Sequence, residues 1–126
     1  MERIRWGILG AGSIAQRFVA ALARVEGAEL VAISGRNAER LSAFAAKHRV
    51  DMGKCYASAG DNGWKAHECL LLDDDVDAVY IALPHGLHAT WSCRALRAGK
   101  AVLCEKPAVL TGSQADEVAR APRFLG

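Results

Sequence analysis

The 126-residue sequence predicts a doubly wound α/β domain, a parallel sheet covered by helices on both faces in three layers. Three observations lead there. Short, nearly unbroken apolar runs recur along the chain, as strands buried on both faces require. Between them lie segments whose apolar residues fall at helical spacing. The first junction carries "GAGSIA", residues 10–15, a glycine turn between an apolar run and an amphipathic one.

The elements follow in order. Residues 3–9 (RIRWGIL) read as the first strand. Residues 13–25 read as a helix with Ile14, Phe18, Leu22 and Val25 on one face. Ser13 and Gln16 have capping-box spacing, which predicts the helix start at Ser13. Residues 28–34 (AELVAIS) form the second strand. Asn37 caps a helix to about residue 48 that turns Leu41, Phe44 and Ala45 inward. A short third strand at 54–56 precedes a loop at 57–63 and a helix from Trp64 to Leu72. Residues 77–83 (DAVYIAL) form a buried strand, and 86–98 a helix stopped by Gly99. Residues 101–104 form the fifth strand. Thr111 with Gln114 opens a last helix that runs to about Arg120. Trp6, Phe18, Phe44 and Tyr80 belong to the core.

Composition narrows the function classes. Hydrophobic residues are 52% and charged residues 24%, which is ordinary for a folded globular domain and unlike a disordered chain. One domain over residues 1–126 is expected. A net charge of +2 without a basic cluster argues against nucleic acid or a membrane surface as partner. No apolar run approaches the roughly 20 residues that cross a bilayer. Glycines interrupt the apolar part of "MERIRWGILGAGSIA" and Glu2 sits in its basic region, which speaks against a signal peptide. Cys55, Cys69, Cys93 and Cys104 form no C-x-x-C pair and suit reduced thiols. A cytoplasmic location is expected.

The glycine turn has the pattern G-x-G-x-x-A. Gly10 permits a tight turn, Gly12 lets a pyrophosphate approach the backbone, and Ala15 lets the helix pack closely on the strand. The helix amino end then offers N–H groups and a favourable dipole to phosphates. Gly10, Ala11, Gly12, Ser13 and Ile14 are therefore candidate cofactor-binding residues in a Rossmann-like domain. At the end of strand two, Ser34 stands where an acid would hold the ribose hydroxyls of NAD, followed by Arg36 and Asn37. A hydroxyl, an arginine fork and a helix amino end suit a 2′-phosphate, so NADP is favoured, with NAD the alternative.

"LPHGLHA", residues 83–89, lies at the carboxyl end of strand four, where open parallel sheets bind ligands. Leu83, Pro84, His85 and His88 are candidate cofactor contacts. The two histidines have no evident third ligand nearby, so no metal is expected. A helix-cap or cofactor-contact role fits them better. In "AVLCEKPAV", Glu105, Lys106 and Pro107 arrive where a buried strand ends. That pattern fits either a solvated turn or a reactive site at the carboxyl edge of the sheet.

"WGILGAGSIA", "SGRNAERLSAFAAKH", "VDAVYIALPHGLHA" and "AGKAVLCEKP" together resemble the glucose-fructose oxidoreductase, inositol dehydrogenase and rhizopine-catabolism family. "AVLCEKP" is closest in wording to its dihydrodiol dehydrogenase branch. The resemblance spans residues 4 to about 120. It implies that Lys106 reaches the nicotinamide and the reacting oxygen of the substrate, where an ammonium stabilises alkoxide-like charge. It implies a cis Lys106–Pro107 bond and an orienting role for Glu105. The family usually reads Thr-Pro-Asn-x-x-His after strand four; Pro84 and His88 match, while Leu83 and His85 depart. "SAGDNGWKAHECLLLDDD" is longer than the family's usual segment there, through either a loop insertion or a longer helix.

The expected function is the NAD(P)-binding domain of an oxidoreductase that moves hydride between a nicotinamide cofactor and a hydroxyl or carbonyl of a sugar, polyol or cyclic diol. The family's second α+β domain has no counterpart here, so the chain reads as truncated at its carboxyl end and inactive alone. A stand-alone dinucleotide-binding module and an inactive remnant are the alternatives. Phe124-Leu125 reads as the opening of a sixth strand that does not develop, which leaves strand five as an open edge that invites self-association.

Overall fold

The computed structural model describes residues 4–10, 12–58, 64–104 and 124–125. Its strands are β1 (Ile4–Leu9), β2 (Ala28–Gly35), β3 (Cys55–Ala57), β4 (Ala78–Ile81), β5 (Ala101–Cys104) and β6 (Phe124–Leu125). Helices α1 (Ser13–Leu22), α2 (Ala38–His48), α3 (Lys65–Leu71) and α4 (His88–Arg97) alternate with them. The strands lie in the order β3-β2-β1-β4-β5-β6, and every pairing is parallel. The helix expected at 111–120 lies outside the described residues.

Strand parity assigns side chains to the two helical layers. Leu9, Ala32, Val79, Ile81 and Val102 face the layer of α3 and α4, where they meet Leu70, Trp91 and Leu96. Their neighbours Ile8, Ile33 and Tyr80 face the opposite layer and meet Ala15, Leu41 and Phe44. Both faces are covered by helices, which is why the strands read as continuous apolar runs rather than alternating ones. Tyr80 stacks on Phe18 with ring centroids 4.1 Å apart, and Trp6 meets Phe18 edge-on at 5.2 Å.

Three expectations change. Gly12, not Ser13, is the N-cap of α1; its backbone is extended, and its carbonyl accepts a hydrogen bond from Gln16 N at 3.1 Å. The helix also stops at Leu22, so Val25 falls in the following turn and is exposed, as is Ile14 on the outer face. The buried stripe is instead Ala15 and Leu22, with Phe18 and Val19 partly covered. Finally, β5 is not a bare edge: Phe124 and Leu125 pair with Val102 and Leu103. The two residues continue the doubly wound order on the outer side of β5, because a parallel neighbour satisfies N–H and C=O groups that would otherwise stay unpaired. Before β4, helix α3 has seven residues, Lys65–Leu71.

Polar side chains fasten the amino-terminal edge of the sheet. Arg5 grips Asp77 with three hydrogen bonds of 2.9–3.1 Å, from its backbone N, Nε and Nη2. Lys54 Nζ donates to both oxygens of Asp73 at 2.9 Å and to Asp75 at 2.8 Å, while the Tyr56 hydroxyl donates to Asp73 at 2.8 Å. The Lys100 ammonium is buried and donates to the carbonyls of Asp73 at 2.7 Å and Val76 at 2.6 Å. These contacts close the amino-terminal edge; the carboxyl edge is where a cavity opens.

Candidate functional site

That cavity, of about 310 Å3, lies where β1, β2 and β4 end. Gly10 and Gly12 line one side, Gly35, Arg36, Asn37 and Arg40 another, and Trp64, Leu83, Pro84 and Leu87 supply apolar walls. Strand order reverses at β1, so the crevice forms at the topological switch point, the position favoured for ligands in open parallel sheets.

The glycine turn is built for close backbone approach. Gly10 has φ +99°, and a Cβ there would stand 2.7 Å from the Ala82 carbonyl oxygen, inside van der Waals contact. Gly10 N donates to Ser34 O at 2.7 Å, and Ala82 N donates to Leu9 O at 2.9 Å, which lock the turn between the neighbouring strands. A Cβ on Gly12 would meet nothing within 4 Å and would project into open space. Helix α1 has no side-chain cap and no acidic residue in its first turn. Its amino end therefore offers N–H donors and a positive dipole end with no carboxylate to repel an anion. These features fit a dinucleotide pyrophosphate.

At the end of β2, Asn37 caps α2 by accepting a hydrogen bond from Arg40 N at 2.9 Å. The cap places Arg36 just before the helix and Arg40 one turn into it. Two guanidinium groups consequently belong to one cavity wall. The Arg36 guanidinium carbon lies 5.5 Å from the centroid of the Trp64 ring.

Ser34 is placed differently from the sequence expectation. Strand β2 runs one residue further, to Gly35, and parity turns Ser34 toward α3. Its side chain is fully buried, with Oγ 2.6 Å from His67 Nδ1. The hydroxyl is thus committed inside the protein, and Gly35 is the cavity-lining residue at the strand end. His67 is also fully buried and its Nε2 has no hydrogen-bond partner. Burial, assisted by the nearby charge of Arg36, pushes its pKa down to about 4, so the ring is neutral at pH 7.

His88 is buried as well, and its Nε2 donates to the Leu83 carbonyl at 2.6 Å. It holds the Leu83-Pro84 turn from behind rather than lining the cavity, so the expectation of a direct cofactor contact gives way to a positioning one. His85 begins a 3-10 turn, His85–Leu87, that leads into α4. Ser13 and Ile14 are the first residues of α1, and Ile14 is exposed. Ala11, Glu105, Lys106 and Pro107 lie outside the described residues, as does the Lys106–Pro107 bond. Gly35, Arg40, Trp64, His67 and Leu87 were not singled out by sequence. Arg40 had a legible signal, since a residue three positions after the Asn37 cap faces the same helix end. Among the described residues, no group of three or more His, Cys, Asp or Glu side chains could hold a metal ion, and no helix is long and apolar enough to cross a membrane.

Comparison with known proteins gives the same picture. The model of the GFO/IDH/MocA oxidoreductase family, NAD-binding Rossmann fold, matches residues 4–124. The chain is 39% identical over 122 residues to the 1,5-anhydro-D-fructose reductase of Ensifer adhaerens, covering 97% of this chain and 34% of that protein. It is 34% identical to the trans-1,2-dihydrobenzene-1,2-diol dehydrogenase of Xenopus tropicalis, covering 95% of this chain and 34% of that one. Among solved structures, KijD10, a 3-ketoreductase from Actinomadura kijaniata in complex with NADP and TDP-benzene, superposes with a TM-score of 0.78 at 37% identity, covering 95% of this chain and 34% of its own. The WlbA dehydrogenase from Bordetella pertussis, in complex with NADH and UDP-GlcNAcA, superposes with a TM-score of 0.78 at 27% identity, covering 95% and 32%. The chain thus spans about a third of the length of the relatives it matches.

Proposed function

The chain belongs to the GFO/IDH/MocA family of oxidoreductases with an NAD-binding Rossmann fold, and from that premise we propose that residues 1–126 are the cofactor-binding domain of an enzyme acting on a sugar, polyol or cyclic diol. Hydride would pass between the nicotinamide and a hydroxyl or carbonyl carbon of that substrate. The observation that carries the reading is the glycine turn at the bare amino end of α1, sharing one cavity with Arg36 and Arg40.

The roles follow from chemistry. Gly10, Ala11, Gly12, Ser13 and Ile14 seat the pyrophosphate on backbone N–H groups. Arg36 and Asn37, joined by Arg40, take the 2′-phosphate of NADP, which two guanidinium forks favour over a bare ribose. Leu83 and Pro84 wall the crevice toward the nicotinamide half, with His85 beside them and His88 fixing the turn. When bound, the cofactor supplies the hydride acceptor or donor. The chain's own contribution to the chemistry is Lys106, whose ammonium donates a hydrogen bond to the reacting oxygen and carries its proton. Glu105 and Pro107 orient that lysine. A cytoplasmic location and self-association through the short β6 edge complete the proposal.

Fluorescence titration of the purified chain with NADPH and NADH tests it. Saturable binding of both, tighter for NADPH, is expected. Tighter NADH binding would overturn the NADP assignment, and absence of binding to either would overturn the site.

A further inference from the structure

Trp64, the N-cap residue of α3, stands at the cavity wall beside Arg36. The indole is held on several sides. It lies 5.9 Å from His67 at an interplanar angle of 40° and 5.9 Å from Trp91 at 37°. His67 in turn meets Trp91 edge-on at 5.2 Å and is pinned through Nδ1 to Ser34 on β2. Arg94 lies over Trp91, its guanidinium carbon 4.8 Å from the ring, and donates to Glu68 at 3.0 Å. A cluster of tilted and edge-on rings therefore runs from the sheet to the cavity and ends at the Arg36 guanidinium, 5.5 Å from the Trp64 ring.

Stacking engages the face of a guanidinium, whereas phosphate is bound by its N–H edge, so the two contacts are compatible. A free arginine loses rotamer freedom when it grips an anion; one already parked on an aromatic face has lost much of it beforehand. Resting on the reading that this cavity takes the adenosine half of a nicotinamide dinucleotide, we propose that Trp64 is a positioning residue for cofactor selectivity. It holds Arg36 at the cavity wall so that a 2′-phosphate on the adenosine ribose is preferred. Ser34 and His67 serve the same end from inside, by fixing the surface against which Trp64 lies.

The test is calorimetric titration of the full 126-residue chain with NADPH and NADH, in wild type, Trp64→Ala, Trp64→Phe, Arg36→Ala and the Trp64→Ala/Arg36→Ala double variant. Circular dichroism checks that each variant is folded. Trp64→Ala should weaken NADPH binding by up to about tenfold, because a released Arg36 must lose the rotamer freedom of one long side chain when it grips the phosphate, and leave NADH within about twofold. Trp64→Phe should restore most of the selectivity; should Trp64→Ala fail to fold, Trp64→Leu, which fills the space without a π face, should show the same loss for NADPH alone, and undiminished NADPH preference there would overturn the inference. The double variant should be no worse for NADPH than Arg36→Ala alone, because Trp64 acts through Arg36. Equal losses for both cofactors would mean that Trp64 contacts the ligand directly, and would overturn the inference. So would additive losses in the double variant, or undiminished NADPH preference in Trp64→Ala. A wild-type chain that binds neither cofactor would instead overturn the reading of the cavity, and this inference with it.

Discussion

Replacing His67 by Gln should flatten the acid dependence of stability. In the fold the imidazole is completely buried, with Ser34 at Nδ1 and the positive Arg36 nearby, and its pKa falls from 6.5 to about 4. A base whose pKa is lower in the folded state binds a proton more readily when unfolded. Stability is therefore full above pH 6.5 and declines as pH falls through the window between 6.5 and about 4. At about 1.4 kcal/mol per pKa unit the whole window is worth roughly 3 kcal/mol, most of it lost between pH 7.5 and pH 4.5. Against a typical domain stability of about 5–15 kcal/mol that is a large share. Glutamine keeps a hydrogen-bonding partner for Ser34 but does not titrate. Urea unfolding followed by circular dichroism, at both pH values, gives the difference. The wild type should lose roughly 2–3 kcal/mol more than His67→Gln over this range, the carboxylates contributing equally to both. Identical pH slopes would refute the buried, neutral imidazole.

Other outcomes follow from the same geometry. Gly10→Ala should abolish measurable cofactor binding and lower stability by about 2 kcal/mol, because a side chain at φ +99° would press on the Ala82 carbonyl; titration and thermal unfolding check both. Arg36→Ala should weaken NADPH binding by about 1–3 kcal/mol and barely alter NADH binding, measured by fluorescence titration. Lys100→Met should cost about 2 kcal/mol of stability in urea unfolding, since it strips the buried carbonyls of Asp73 and Val76 of a charged donor. In a longer form of the protein, Lys106→Ala should lower turnover far more than cofactor affinity, and Lys106→Arg should not rescue it.

Residues whose roles are local were legible in the sequence. Gly10, Gly12 and Ala15 announce the turn by spacing, and the Asn37 cap and the inward face of Leu41, Phe44 and Ala45 appear as read. Gly99 ends α4 with a positive φ of +83°. Roles that depend on strand parity or on partners far away in sequence were not legible. Ser34 has the residue type of a ligand contact at a strand end, but β2 continues to Gly35, and the pleat that faces Ala32 toward α3 faces Ser34 the same way, onto a histidine 33 positions away. Helix α1 starts at Ser13 as its spacing predicts, but the cap is the extended backbone of Gly12 and no side-chain hydrogen bond makes it. The cluster of Trp64, His67 and Trp91 joins α3 to α4, and neither segment's own pattern marks it as more than core. The same holds for Lys100, whose burial depends on carbonyls more than twenty residues upstream.

The central claim, that the carboxyl edge of this sheet binds a nicotinamide dinucleotide, is tested most directly by backbone amide chemical-shift mapping during titration of the chain with NADP+. The account predicts saturable shifts concentrated at Gly10, Gly12, residues 35–40 and residues 83–87, with the amino-terminal edge at Arg5, Lys54 and Asp77 undisturbed. Shifts centred on that opposite edge, or none that saturate, would contradict it.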